Sequence, residues 1–417
     1  MGKANPDTAR RIRALREGKG LTVRQACEEM RRHTDRVLPE PEHLERRWKS
    51  WESLGSGASH PGEEYQKLIA ATLGVVTSTL FLPEQKSAPA DLLAVTGMDT
   101  LEILGRLQVT DVSNATLDGL RVTVERLCSS YASQPAATLI VEGRQWLARL
   151  VEMQETTKLT LAQRRDLAEQ IGWLVLLVGC LEYDLGAPSR AEGTRRFALS
   201  LGKEIEHPGI LGWAHEMKAW FALTGGEYRA VIAASEAGET AARDHSVAVQ
   251  LAAQQAKAYA RMGQLPEMHS ALERGRVLLD NMPYPENTRN HFVVDPLKYD
   301  FYAMDCYRHV GDDRLARTLA DEVIRGSTDF NGNVHSPMRV TEAQVTLGVA
   351  AAHEGELDEA VEHGQRAISG ERKSLPSLAM VTQDLVTALR NDYADAPAAK
   401  EYVQQLRTVL SEGRPDA

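Results

Sequence analysis

Residues 304–323 read MDCYRHVGDDRLARTLADEV, and the placing of Gly311 and Ala316 in this stretch decides how the chain folds. A helical pattern runs up to the glycine, stops, and resumes on an alanine five residues later. The same step recurs as Gly186/Ala191, Gly225/Ala230 and Gly355/Ala360, with Gly263/Met268 as an imperfect copy. Successive glycines lie 38 to 48 residues apart. Glycine suits the left-handed backbone that ends a helix. A fixed grammar at this period describes stacked helical hairpins, which bind partners rather than react with them.

Other offsets keep step with the glycine. Four residues before it stand Phe221, Tyr259 and Tyr307. Seven before it stand the small residues Gly179, Ala256 and Gly348, and twelve after it Ala198, Ala237, Gly275 and Ala367. Small residues let paired helices cross closely, and an aromatic ring fills the gap between neighbouring hairpins. This grammar resembles the tetratricopeptide repeat. Five copies cover roughly 172–372, and a degenerate hairpin from Ser377 to Leu410 would close the stack. Lys218 and Met304 stand where a small residue belongs, and Arg195 where a bulky apolar one belongs. The period also exceeds the ~34 residues usual for that repeat.

The 417 residues are 43% hydrophobic, 25% charged and only 6% aromatic, a balance that favours helix and at least two units. No apolar run is long enough to span a bilayer; Trp173 to Leu181 reads as a buried helix. The N-terminal segment has no apolar core of a secretory signal, and four scattered cysteines form no CxxC, which points to a reducing cytoplasm. The net charge is −10, yet residues 1–60 carry 13 Lys/Arg against 9 Asp/Glu, leaving −14 on the remainder. A basic head on an acidic body suggests that the head meets an anion.

That head reads as five short helices. The first runs from about Asp7 to Glu17 and ends at Gly18 and Gly20. Thr22 and Gln25 form a capping box for the second, which ends near His33. The third lies near Glu42 to Leu54 and carries Arg46, Arg47 and Lys49 beside Trp48 and Trp51. The fourth spans Glu63 to Leu73, stopped by Gly74, and a last short helix ends at Leu80 and Phe81. Leu21-Thr22…Gln25-Ala26, Trp48-Lys49-Ser50-Trp51-Glu52, Leu68-Ile69-Ala70…Leu73-Gly74-Val75 and Leu80-Phe81 resemble the helix-turn-helix domain of Xre/lambda-repressor-like regulators over about residues 7–82.

The resemblance implies that the third helix enters the major groove while the second crosses the backbone. Arg46, Arg47, Lys49 and Ser50 are then the candidate base contacts, since a guanidinium can grip guanine O6 and N7. Arg10, Arg11, Thr22 and Arg24 are the candidate phosphate contacts. The segment between the second and third helices is longer than that family usually has. Glu40, Glu42 and Glu45 also place carboxylates near the reading end.

In the repeats, the first helices would line a concave groove. Gln250, Gln254, Lys257 and Arg261 recur along one helix, and Lys298, Tyr302, Asp305 and Arg308 along another, with His215 on an earlier one. Amides and cations in such a stripe suit a peptide or a polar small molecule. Two long segments, Asn281 to Pro296 and Ser327 to Pro337, are placed to overhang the groove. No HExxH, GxGxxG, Walker loop, GxSxG or zinc-spaced Cys/His set occurs, so no enzyme, metal or cofactor is expected.

The expected organisation is all-α. A five-helix helix-turn-helix domain occupies 1–82, a linker 83–97, capping or dimerising helices 98–160, tetratricopeptide-like hairpins of an α-solenoid 161–412, and a disordered tail 413–417. The function implied is a cytoplasmic, homodimeric transcriptional regulator that binds double-stranded DNA. Its repeats would sense a peptide, small molecule or protein, with no membrane partner. The alternative is a protein-interaction scaffold whose head does not read DNA and whose repeats dock, for example, a sigma or anti-sigma factor.

Overall fold

The computed structural model describes residues 6–55, 57–81 and 112–412. The chain is all-α. Among the described residues there is no strand, only an isolated antiparallel bridge between Thr328 and Val334. Two compact units are present, Met1–Ala90 and Asp91–Ala417. The expected linker 83–97, residues 98–111 and the tail 413–417 lie outside the described residues.

The first unit holds α1 (Pro6–Gly18), α2 (Val23–Arg32), α3 (Pro41–Trp51), α4 (Glu63–Leu73) and α5 (Thr77–Phe81). Thr22 caps α2: its hydroxyl accepts from Gln25 N at 3.2 Å, and Gln25 Oε1 accepts from Thr22 N at 2.9 Å. Gly74 ends α4 in the left-handed region at φ 67°. Apolar faces of all five helices meet in a core that includes Ile12, Met30, Leu44, Trp48, Ile69, Leu73 and Leu80. One charged group lies inside it. Glu52, 3% exposed, accepts Arg16 Nε at 2.7 Å, Arg16 Nη2 at 2.9 Å and Trp48 Nε1 at 2.6 Å. Arg16 is therefore a half-buried clamp between α1 and the end of α3.

The second unit begins with α6 (Asn114–Ser130) and α7 (Ala136–Thr156), both packed on α8 (Leu161–Asp184). Leu117, Leu120, Val124 and Leu127 of α6, and Leu139, Trp146 and Leu150 of α7, are buried, while Leu147 is half-buried. Hairpins follow: α8 with α9 (Pro188–Glu204), α10 (Pro208–Thr224) with α11 (Tyr228–Ala241), and α12 (Val247–Arg261) with α13 (Leu265–Asp280). Then come α14 (Pro296–Val310) with α15 (Asp313–Gly326), α16 (Pro337–Glu354) with α17 (Leu357–Ser369), and α18 (Leu375–Asp392) with α19 (Pro397–Glu412). The first helices α8, α10, α12, α14, α16 and α18 also pack one on the next. This order is compatible with an α-solenoid. The four cysteines are buried and unbonded.

The glycine register holds with one correction. Gly186, Gly263, Gly311 and Gly355 all take positive φ, and Ala191, Met268, Ala316 and Ala360, five residues on, are fully buried. In the second copy the left-handed residue is Gly226 (φ 78°), whereas Gly225 lies at φ −81°. Shifting by one removes an apparent defect. Buried Ala219 replaces exposed Lys218 at the small position, and buried Val231 replaces Ala230. Gly238 then takes the later small position, where a Cβ would stand 2.7 Å from Leu251 Cδ1. The other departures are absorbed by packing. Met304 is fully buried, and Arg195 is held by Glu192 through Nε at 2.6 Å and by the Ala214 carbonyl at 3.2 Å.

A prediction follows from the shifted register. Gly226→Ala forces a Cβ into the left-handed region and should cost ~1–2 kcal/mol. Gly225→Ala, whose φ any residue adopts, should cost less. Urea unfolding of the two variants checks this order, and an equal or reversed loss would contradict it.

Candidate functional site

The second unit holds a partly open cavity of about 400 Å³. Its walls come from successive first helices. α10 supplies Glu216 and Trp220, α12 supplies Gln250, Gln254 and Lys257, α14 supplies Lys298 and Tyr302, and α16 supplies Arg339 and Glu342. Spacings of three, four and seven residues put each set on one helix face. Both long segments contribute as well: His291 lies before α14, and His335 and Ser336 before α16.

The sequence predicts a polar stripe lining a concave ligand groove; in the structure much of that stripe is buried. Gln250, Gln254, Lys257, Lys298 and Tyr302 are each less than a tenth exposed. The cause is α18, which packs back on α8 and α10. Trp220 Nε1 donates to Ser377 Oγ at 3.0 Å. Just before α18, Arg372 donates to the Tyr131 carbonyl at 2.9 Å and to Asp184 Oδ2 at 2.7 Å, with its guanidinium 4.6 Å from the Tyr131 ring centre. The last hairpin thus bridges back to the first ones across the inner face.

Inside, the polar groups are partly committed. The Nε2 groups of Gln250 and Gln254 both donate to Glu216 Oε1, at 2.6 and 2.7 Å. Burial pushes the Glu216 carboxyl up, and the two amide donors partly offset this. Lys298 Nζ donates to the His291 and Val293 carbonyls at 2.5 and 3.1 Å and sits 4.9 Å from the Trp213 ring centre. Burial, and then the charge of Arg339, bring its amine down to about 7. His291, whose ring centre lies 3.9 Å from that of Tyr131 with the planes tilted by 40°, is held well below the usual imidazole range by burial and then by Lys298. Burial also raises the Glu342 carboxyl.

Four of the residues expected in the groove, His215, Arg261, Asp305 and Arg308, lie outside the cavity lining. Arg261, Asp305 and Arg308 form a buried charge cluster. Asp305 accepts Arg261 at 2.8 and 3.1 Å, pairs with Lys257 at 3.5 Å, and also pairs with Arg308. Arg308 continues to Asp384 of α18 at 3.0 Å and to Thr346 at 3.1 Å. Burial alone would raise the Asp305 carboxyl, but Arg261, Lys257 and Arg308 together hold it well below the usual range. These residues fasten α12, α14, α16 and α18 together. One residue is a turn of 100° on a helix, so Glu216 faces the cavity while His215 packs towards Gly238 of α11.

Sequence reasoning did not single out Tyr131, Trp220, Arg339 or Arg372. Arg339 had a local signal, standing three residues before Glu342 just after a long inter-repeat segment. The other three acquire their roles only through contacts between distant hairpins.

In the first unit, Arg46, Arg47 and Lys49 are exposed on α3, while Leu44, Trp48 and Trp51 on the same helix are buried. Arg47 donates to Tyr65 Oη at 3.0 Å and lies 5.4 Å from its ring centre. Arg46 Nε reaches only the Glu42 carbonyl, at 3.4 Å. Ser50 is half-buried and its hydroxyl bonds the Arg47 carbonyl and Ser59 Oγ. Of the four expected phosphate contacts, Arg10 and Arg24 are exposed and paired with Asp7 and Glu28, Arg11 is half-buried, and the Thr22 hydroxyl caps α2.

No protein-family model matches this chain, and no curated protein matches it. Among the described residues no group of His, Cys, Asp or Glu is arranged to hold a metal ion, and no helix is long and apolar enough to cross a membrane.

Proposed function

We propose that the chain is a sequence-specific DNA-binding regulator. On this reading an Xre-like helix-turn-helix head presents α3 to the major groove, and tetratricopeptide-like repeats sense a signal. Two copies would read half-sites one or more helical turns apart, ~34 Å per turn.

One observation carries the proposal. Across the head, Arg10, Arg13, Arg16, Arg24, Arg32 and Arg36 all pair with carboxylates. Arg46, Arg47 and Lys49 of α3 pair with none among the described residues, although all three are exposed; Lys19, Arg31 and Lys67 also lack a carboxylate partner, but they stand singly on three other segments, whereas α3 gathers three such cations. A cation without a carboxylate partner gives up no ion pair when it meets phosphate or a base edge. The three stand on the helix that the resemblance assigns to base reading, and its buried tryptophans fix that helix in the head. The second unit adds a partly open cavity, lined by polar groups and aromatic rings, of a size suited to a signal molecule.

Selection of duplexes from a randomised pool by the full-length protein tests this. The expected result is an enriched motif with two related halves. Failure of any duplex to enrich at low salt would overturn it and favour the protein-interaction scaffold.

A further inference from the structure

We infer that the cavity is a receptor for a compact zwitterion, a molecule of roughly dipeptide size. Its anionic group ion-pairs with Arg339, and its protonated amine is held by Glu342 and the glutamine carbonyls of α12. This inference deepens the sensing role proposed above and rests on it.

The charges carried into the cavity by its helices are Glu216, Lys257, Lys298, Arg339 and Glu342. Three of them are committed. Glu216 takes both glutamine amides, Lys257 pairs with Asp305, and Lys298 is held by two carbonyls. On these helices one of each sign is left over; the segments between helices add Arg289, Asp295, Arg372 and Lys373 to the lining. Arg339 has no hydrogen bond or ion pair among the described residues, and Glu342 Oε2 is buried without a partner. They stand one turn apart on α16, where Cβ atoms are ~5–6 Å apart, yet they do not pair with each other. Gln250 Oε1 and Gln254 Oε1 are likewise buried and unpartnered acceptors.

Buried groups of this kind normally have partners, and leaving them without one is costly. Unmet acceptors beside a carboxylate call for a multiply donating cation such as an ammonium. An unmet guanidinium calls for a carboxylate or similar anion. A simple anion would leave the buried acceptors beside Glu342 unmet, and a simple cation would leave the Arg339 guanidinium unmet. Trp220, Phe301 and Tyr302 add ring surface for an apolar side group. The volume suits a small ligand. The bridges from Arg372 and Ser377 shorten the open run of the inner face, which disfavours a long extended peptide.

The test is calorimetric titration of the full-length protein with the common amino acids and with glycyl and phenylalanyl dipeptides at millimolar concentration. Each binder is repeated as its N-acetyl and its C-amide form. The expected result is that at least one free zwitterion binds and that capping either end weakens it by at least ~10-fold, the worth of a charge-assisted hydrogen bond. Arg339→Met should abolish the penalty for amidation while keeping that for acetylation, and Glu342→Gln should do the reverse. No binding by any member of the panel, or equal binding of capped and free forms, would overturn the inference. Unchanged penalties in both variants would do so as well. Duplex selection on the same preparation separates the outcomes. If duplexes enrich but no zwitterion binds, only the receptor fails; if a zwitterion binds but no duplex enriches, only the regulator fails.

Discussion

Replacing Asp305 by alanine should destabilise the second unit by ~3–5 kcal/mol, the cost of leaving buried charge without its partner. The carboxylate is fully buried and answers Lys257, Arg261 and Arg308. Each pair near 4 Å is worth ~4 kcal/mol at an effective dielectric of 20. Part of that offsets the desolvation of four ions, so the native cluster contributes modestly, yet its breakage costs much. Arg308 would keep Asp384, and Lys257 would keep the Tyr302 ring, whose centre lies 5.4 Å away. Arg261 would lose its only carboxylate among the described contacts. Urea unfolding followed by circular dichroism measures the loss, and a change under ~1 kcal/mol would show that the cluster is dispensable. The pH dependence has a definite sign. The folded carboxyl titrates below its unfolded value of ~3.9, so its contribution is complete above that pH. It fades as pH falls through the folded value, so the gap between wild type and variant should narrow in strong acid.

Removing two cations from α3 should weaken DNA binding. Arg46→Ala with Lys49→Ala deletes one candidate base reader and one candidate phosphate or base contact. The expected loss is ~1–3 kcal/mol for the base contact, with relaxed sequence selectivity, plus a sequence-independent loss for the second charge. Stability should hold within ~0.5 kcal/mol, because both side chains are exposed and neither has an ion-pair partner. Arg47 is set apart by Tyr65, which holds its guanidinium against the head. Binding is read by fluorescence anisotropy on a selected duplex and on a scrambled one. Equal affinity of the variant and the wild type for the selected duplex would remove α3 from the interface.

Local signals carried most of the fold. The Thr22–Gln25 capping box, Gly74 and the turn glycines act through backbone geometry within a few residues, so their spacing is visible in one dimension. Gly225 and Gly226 are adjacent, and only the backbone angle tells which one turns. The polar stripe was also legible, since Gln250, Gln254 and Lys257 mark one helix face. Its burial was not. Arg372 meets Tyr131 across 241 residues and Asp184 across 188, and no local pattern records such a contact. For the same reason Asp305 and Arg308 resemble groove residues in the sequence but join a structural cluster completed by Asp384. Arg16 shows the effect in the head, where Glu52, 36 residues on, ties it to the end of α3.

The most direct measurement is the salt dependence of affinity for the selected duplex. Each phosphate neutralised contributes ~0.9 to the slope of log affinity against log salt. The wild type should bind steeply less tightly as salt rises, and the Arg46→Ala, Lys49→Ala protein should show a shallower slope, by up to ~2. A wild-type affinity that ignores salt, or a double variant with the same slope and strength, would contradict a DNA-reading α3.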